Sequence, residues 1–121
     1  MKFHLQTAAG VLVTGLGDGW IKVGATEYRE NCVLTPDGVE TGFAAAGLGA
    51  LSSDDFARLL QWRPEIVLLG TGRTQTFLHP RLTQPLTAAH VGVEIMDTRA
   101  ACRTFNILVG EGRRVVAGLI L

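Results

Sequence analysis

The stretch from Leu68 to Phe77, LLGTGRTQTF, places two glycines and an arginine directly after an apolar run. Glycines in such a turn let backbone N–H groups approach an anion, and a helix N-terminus behind the turn adds partial positive charge. The dinucleotide-binding pattern fails, because its third glycine would fall at Gln75, and no Gly-Lys-Ser/Thr follows. The turn is therefore interpreted either as a tight strand exit, which we prefer, or as an anion site.

A second polar group follows the next apolar run, at Asp97 and Thr98. If both runs form parallel strands, their carboxyl ends meet at one edge of the sheet, where open α/β folds place ligands. This edge is a candidate crevice for a small molecule or anion, lined by Gly70, Thr71, Gly72, Arg73, Gln75, Asp97 and Thr98. Asp97 also has a structural interpretation, as the cap of the helix that follows it.

Three polar residues, Arg99, Arg103 and Asn106, lie at positions i, i+4 and i+7 of that helix and form one face. Such a face is either solvated or binds an acidic partner or anion. Glu94 lies inside an apolar strand, where an unpaired charge is costly, so we expect it to pair with an arginine such as Arg103 or Arg113.

Catalytic and metal-binding groups are not indicated. The two serines, Ser52 and Ser53, are explained by helix capping, so a serine triad has no candidate. Cys102 lies on the predicted buried stripe of its helix, which argues against a reactive thiolate. The three histidines and two distant cysteines lack ligand spacing. We predict no catalytic residue, no metal and no cofactor.

Composition narrows the class of protein. The chain has 121 residues, enough for one domain with a buried core, and residues 1–121 are treated as a single domain. Hydrophobic residues make up 47%, but the longest apolar runs are too short to cross a bilayer, so no membrane insertion is expected. Eleven basic residues balance eleven acidic ones, so no excess positive charge attracts nucleic acid.

The predicted location is the cytoplasm. His4 and Gln6 interrupt what would have to be the apolar core of a signal peptide, so export is not expected. Cys32 and Cys102 are far apart and lack Cys-x-x-Cys spacing, which indicates two reduced thiols rather than a redox pair or a disulfide.

Strands dominate the elements predicted for the first third of the chain. Alternating and β-branched residues indicate strands around Trp20 and Cys32. A helix then begins at a capping box formed by Ser52 and Asp55 and ends before Pro64.

The second half alternates strands and helices. Apolar runs predict buried strands at 65–70 and 91–96 and a last strand within 113–121. The helix between the first two is expected to become regular near Thr83, with Pro85 in its first turn. The next helix follows Asp97 and ends at Gly110. This alternation predicts an α/β fold with a mixed, mostly parallel sheet, joined to a β-rich N-terminal part.

The segments LLGTGRTQTFLHP and GVEIMDTRAACRTFNILVGEGRRVVAGLIL also carry a family resemblance. The chain is similar, from Gly19 to Leu121, to a small α/β family of largely uncharacterised bacterial and archaeal proteins whose mitochondrial relatives act in assembling respiratory complex I. The resemblance implies three layers: a central mixed sheet, helices on one side, and a helix with extra strands on the other. It implies no established reaction.

The family motif marks positions in the second half of this chain. They are Gly70, Thr71, Gly72, Gln75, Asp97, Thr98, Arg103, Thr104, Asn106, Glu111 and Arg113. Phe105 departs from the tyrosine usual in the family and lacks its hydroxyl. Glu111 and Arg113 are expected, with Glu94, to take part in structural ion pairs.

Two functional hypotheses follow. The first is a non-catalytic protein-interaction factor, assembly or chaperone-like, that contacts another protein through Arg99, Arg103 and Asn106. The alternative is a small-molecule or anion-binding protein, or an enzyme, that uses the crevice at the carboxyl edge of the sheet. The missing catalytic set favours the first.

Overall fold

The computed structural model describes residues 2–5 and 10–121. Gln6, one of the two polar residues predicted to interrupt a signal peptide, lies outside the described residues. The strands of the described residues are β1 Phe3–Leu5, β2 Val13–Gly17, β3 Trp20–Val23, β4 Thr26–Tyr28, β5 Cys32–Leu34, β6 Gly38–Thr41, β7 Ile66–Gly70, β8 Gly92–Met96 and β9 Val115–Leu119. The α-helices are α1 Ser53–Ala57, α2 Pro80–Ala88 and α3 Thr98–Gly110, and α1 continues as a 3-10 helix over Arg58–Trp62. A short 3-10 helix occupies Leu48–Ala50.

The central sheet is mixed, as predicted. Its strand order is β1-β6-β5-β9-β7-β8, and β7 pairs in parallel with both β8 and β9. The pairings of β5 with β9, β5 with β6 and β1 with β6 are antiparallel. Among the described strands of this sheet, β6, β7, β8 and β9 therefore point one way.

Side chains alternate between the two faces of the sheet and produce two cores. On β7, Ile66 and Leu68 pack with α3 and the small sheet β2-β3-β4, whereas Val67 and Leu69 pack with α1 and α2. Strands β7 and β9 are buried on both faces and read as continuous apolar runs. The prediction of a buried strand at 91–96 is wrong, because β8 is an edge strand whose residues are all half-buried or exposed. The three layers implied by the resemblance are present.

Helix boundaries confirm two predicted caps. The Asp55 carboxylate accepts the backbone N–H of Ser52 at 2.8 Å, which is half of a capping box. Asp97 caps α3, because its Oδ1 accepts the Ala100 N–H at 2.9 Å, and the helix ends at Gly110 as expected.

The predicted start of α2 is wrong. The helix begins at Pro80 rather than near Thr83, so Pro85 lies inside it. His79 is the N-cap, and its Nδ1 accepts the Arg81 N–H at 3.1 Å. Proline is well suited to the first helical position, since its missing N–H has no helical partner there.

Within the described residues Glu94 forms no ion pair, contrary to the prediction, because β8 is an edge strand and Glu94 is exposed to solvent. A hydrated carboxylate needs no partner. Arg113 instead pairs with Glu65, Nε to Oε2, at 3.1 Å. Glu111 is the exposed C-cap of α3, and the described part of the chain gives it no ion pair.

No helix within residues 2–5 and 10–121 is both long and apolar enough to cross a membrane.

Candidate functional site

The Gly-Thr-Gly turn after β7 uses its amides within the protein. The Thr71 N–H donates to the Met96 carbonyl at 2.9 Å, and the Gly72 N–H donates to Thr98 Oγ1 at 2.8 Å. In return, the Thr98 N–H donates to the Gly72 carbonyl at 2.9 Å. A phosphate cradle needs free amides that point at the ligand. Through these hydrogen bonds the turn attaches the end of β7 to the start of α3, so these N–H groups do not point at an anion.

Two threonine hydroxyls complete this junction. Thr98 Oγ1 donates to the Ile120 carbonyl at 2.6 Å, so one side chain links α3 to the segment after β9. Thr71 Oγ1 donates to the Thr74 carbonyl at 2.6 Å and accepts the Thr76 N–H at 3.1 Å. Both threonines are buried, and their bonds satisfy polar groups that would otherwise destabilise the fold.

Gln75 lies at the outer edge of β8. Its Nε2 donates to the Ile95 carbonyl at 3.1 Å. Within β8, the Gly92 N–H and the Met96 carbonyl bond towards the β7 side, so the alternation of a strand turns Ile95 outward. Gln75 therefore covers part of an exposed sheet edge, a position that otherwise invites pairing with another chain.

A cavity of about 320 Å³ lies beside this junction, under the β2–β3 hairpin. Its lining residues are Leu16, Gly17, Asp18, Gly19, Trp20, Ile21, Gly72, Arg73, Asp97, Thr98, Arg99, Ile120 and Leu121. The loop after β7 leads to α2 on one face of the sheet and the loop after β8 leads to α3 on the other, which is the arrangement expected at a ligand-binding crevice. Hydrogen bonds of the Gly-Thr-Gly turn close the space between β7 and β8, and the cavity lies towards β9 and the hairpin.

Trp20 forms the aromatic part of the cavity wall. Its ring lies across the glycines of β2: a Cβ atom added at Gly17 would collide with the indole, and one at Gly15 would lie 3.6 Å from it. Glycine at these positions gives the half-buried indole room to lie flat against the strand.

A second cavity, of about 230 Å³, continues between β2 and α3. It shares Leu16 and Arg99 with the first and is also lined by Val13, Thr14, Gly15, Cys102, Arg103 and Asn106. The first cavity is called the outer cavity, the second is called the inner cavity, and the two together are called the hairpin groove.

Asn106 bonds the backbone of β2 with both ends of its amide. Its Oδ1 accepts the Val13 N–H at 2.9 Å and its Nδ2 donates to the Val13 carbonyl at 2.8 Å. The amide thereby replaces a neighbouring strand at this position and ties the small sheet to α3. Asn106 thus has a structural role that was not predicted.

The charges of the groove are mainly those of three exposed arginines. Within the described residues, the ion pairs involve other arginines, and Arg73, Arg99 and Arg103 have no carboxylate partner. Asp97 and Asp18 line the outer cavity, but the inner cavity contains arginines and no carboxylate. The inner end of the groove is therefore cationic.

The thiol of Cys102 lies in the wall of the groove and is buried. Burial raises the pKa of Cys102 to about 11, although Arg99 opposes this shift. The thiol therefore stays protonated at neutral pH. The described part of the chain holds no cluster of His, Cys, Asp and Glu side chains arranged for a metal.

The structure separates the candidates predicted for one crevice. Gly72, Arg73, Asp97 and Thr98 line the outer cavity with Arg99, which was assigned to a partner face. Gly70, Thr71 and Gln75 do not line it. The β2–β3 hairpin was not predicted, although its Asp-Gly turn between apolar strands is a recognisable sequence signal. Its packing against α3 has no such signal.

Comparisons with known proteins agree on one family. The family model described as "Protein of unknown function (DUF498/DUF598)" matches residues 13–120. A Bordetella parapertussis protein of known structure superimposes with a TM-score of 0.82 at 39% identity, covering 95% of this chain and 98% of that one.

Two curated relatives are named NADH dehydrogenase [ubiquinone] 1 alpha subcomplex assembly factor 3. The zebrafish protein is 32% identical over 95% of this chain and 67% of its own length. The mouse protein is 45% identical over 51% of this chain. The matched region spans only 34% of the mouse protein.

Proposed function

The chain belongs to the DUF498/DUF598 family, and from this membership we propose that it is a non-catalytic protein-interaction factor, assembly or chaperone-like, that works in the cytoplasm. The named relatives are assembly factors for NADH dehydrogenase. We propose that this chain likewise binds another protein. That its target belongs to respiratory complex I is also part of the proposal.

The observation that carries the proposal is the pair Arg99 and Arg103 at the hairpin groove. Both are exposed, neither has a carboxylate partner within the described residues, and they stand one helical turn apart. Arginine is enriched at protein interfaces because its planar group makes several hydrogen bonds at once.

The test is capture from cells of the native host with matched variants. Wild-type protein, the double variant R99A/R103A and the control R81A carry the same tag. Arg81 is also exposed but lies on α2, on the opposite face of the sheet. We expect the double variant to lose at least about tenfold of the specific partner, as for an interface hot spot, and R81A to lose none. Equal recovery of every partner by all three proteins would refute the assignment.

A small-molecule or anion site is the second candidate function, favoured by the outer cavity. Its volume of about 320 Å³ is at the lower end of ligand pockets, and Arg73 and Thr98 line it. An amide NMR titration with phosphate, ADP and NAD tests it. Saturable shifts confined to Gly72, Arg73, Asp97 and Thr98 would support a ligand site; absence of shifts at millimolar ligand would reject it.

A further inference from the structure

We infer that the hairpin groove binds an extended acidic segment of the partner protein, in which one apolar side chain and two carboxylates alternate along the chain as apolar-x-acid-x-acid. The inference rests on the proposed function, since it assigns the chemistry of the partner at the same surface. Three features of the groove carry it: the outward-facing edge of β2, the spacing of its arginines, and the arrangement of its apolar and cationic parts.

The first feature is the outer edge of β2. β2 is an edge strand of the small sheet, and Gly17 and Trp20 pair across the two-residue turn that joins it to β3. In such hairpins the closing pair exchanges hydrogen bonds, so the next pair, Leu16 and Ile21, does not. The N–H and C=O groups of Leu16 therefore point away from β3. Leu16 also lines both cavities of the groove.

Asn106 supports the same conclusion further along β2. The side-chain amide fills the position of a neighbouring strand at Val13, with bonds of 2.9 and 2.8 Å, and a register shift follows between Val13 and Gly15. Between Val13 and the turn, Leu16 presents the outward-facing backbone groups of this edge, since Gly15 pairs with Lys22 and faces β3. An extended peptide adds to such an edge through backbone hydrogen bonds.

The second feature is the spacing of Arg99 and Arg103. Residues four apart on a helix are separated by about 6 Å along its axis. Alternate residues of an extended chain are separated by roughly 6.6 Å and point the same way. Two carboxylates at alternate positions of the segment therefore match the two guanidinium groups, each as a charge-assisted hydrogen bond.

The third feature is the arrangement of apolar and charged side chains along the groove. The outer cavity offers apolar surface from Leu16, Trp20, Ile21 and Ile120, whereas the inner cavity, beyond Arg99, has arginines and no carboxylate. Asp18 and Asp97 line only the outer cavity and repel acidic side chains from it. This places the apolar side chain of the segment against Trp20 and its carboxylates towards Arg103.

The experiment uses a synthetic probe and the complete chain. The probe is acetyl-Ser-Leu-Thr-Glu-Thr-Glu-Ser-amide, with its reversed sequence as a second probe because the chain direction is open. Control peptides carry Gln at both Glu positions, or two adjacent glutamates in place of the alternating pair. Binding is followed by amide NMR, with the indole signal of Trp20 as reporter and that of Trp62, which lies in the other core, as internal reference.

The expected result is saturable shifts at Leu16, Trp20, Arg99 and Arg103 with at least one alternating probe. The Gln peptide and the R103A protein should each weaken binding by about tenfold or more, while R81A leaves it unchanged. The adjacent-glutamate peptide should also bind more weakly, because one carboxylate then points away from α3.

Three outcomes would overturn the inference. They are no saturable shift with either alternating probe, equal binding of the Glu and Gln peptides, and equal affinity for inorganic phosphate, which would make the groove a small-anion site. None of these decides the proposed function. If R99A/R103A still loses its cellular partner while the probes fail, the surface binds a partner of different chemistry; if the partner is retained while the probes bind, the interaction assignment fails.

Discussion

Gly70 and Gly72 are required for different physical reasons, although one residue separates them. Gly72 has a φ of +102°, a backbone conformation that other L-residues adopt only under strain. Gly70 is required by contact: a Cβ atom there would lie 2.8 Å from Thr98 Oγ1 and 2.9 Å from Thr98 Cα. The motif therefore records how closely α3 approaches β7, which makes its glycines structural.

The contact at Gly70 leads to a stability prediction. Gly70→Ala should lower the free energy of unfolding by roughly 1–3 kcal/mol, the usual cost of overpacking a dense site, because the helix backbone cannot move away freely. Gly110→Ala is the matched control, since a Cβ at Gly110 meets nothing within 4 Å and its backbone is helical. The control should be neutral or slightly stabilising. Urea unfolding measures both, and equal effects of the two substitutions would contradict the explanation.

At the scale of elements, the sequence correctly predicted the strands and helix ends that have strong local signals. The strands around β7 and β9 are continuous apolar runs, and Asp97 before a periodic stretch marks the start of α3. The start of α2 was misplaced because Pro85 was read as a first-turn residue, whereas Pro80 takes that position. Local sequence could not decide between two prolines that both suit a first turn.

The candidate site was only partly predictable for a different reason. Residues on one sheet edge could be grouped from strand direction alone, and four of them do line the outer cavity. The hairpin wall depends on the packing of β2 against α3, which are 80 or more positions apart in sequence. The role of Asn106 needs that long-range contact, so the polar face of α3 was interpreted without it.

The bond between Asn106 and β2 leads to a prediction about how the small sheet is attached to α3. Asn106→Ala removes the partner of both the N–H and the C=O of Val13, so the attachment of the small sheet to α3 should weaken, at a cost of about 1–3 kcal/mol. Hydrogen exchange should accelerate selectively at Val13 and in β3, with little change in β7. Thr104→Ala, on the same helix, is the control. A uniform acceleration across both sheets would show that the bond does not act locally.

At the scale of the whole molecule, two cysteines lie in the core between the central sheet and α3. Cys32 on β5 and Cys102 on α3 are both buried and both free. Burial raises the pKa of Cys32 to about 12, with smaller contributions from Cys102 and Glu30. Burial likewise raises the pKa of Cys102 to about 11. The fold holds both as neutral thiols because a thiolate there would be poorly solvated.

This burial predicts lower stability at alkaline pH. In the unfolded chain both thiols ionise near their ordinary pKa of 9.0, whereas in the folded protein they stay protonated until about pH 11 to 12. Because the unfolded state releases these protons first, stability is unaffected below pH 9 and falls as pH rises above it, by roughly 1 kcal/mol per thiol at pH 10. Urea unfolding of wild type and C32A/C102A at pH 7, 9 and 10 isolates the effect, since the double variant lacks both thiols. A similar alkaline loss in the two proteins would assign it to other groups and show that the thiols are not held neutral by the core.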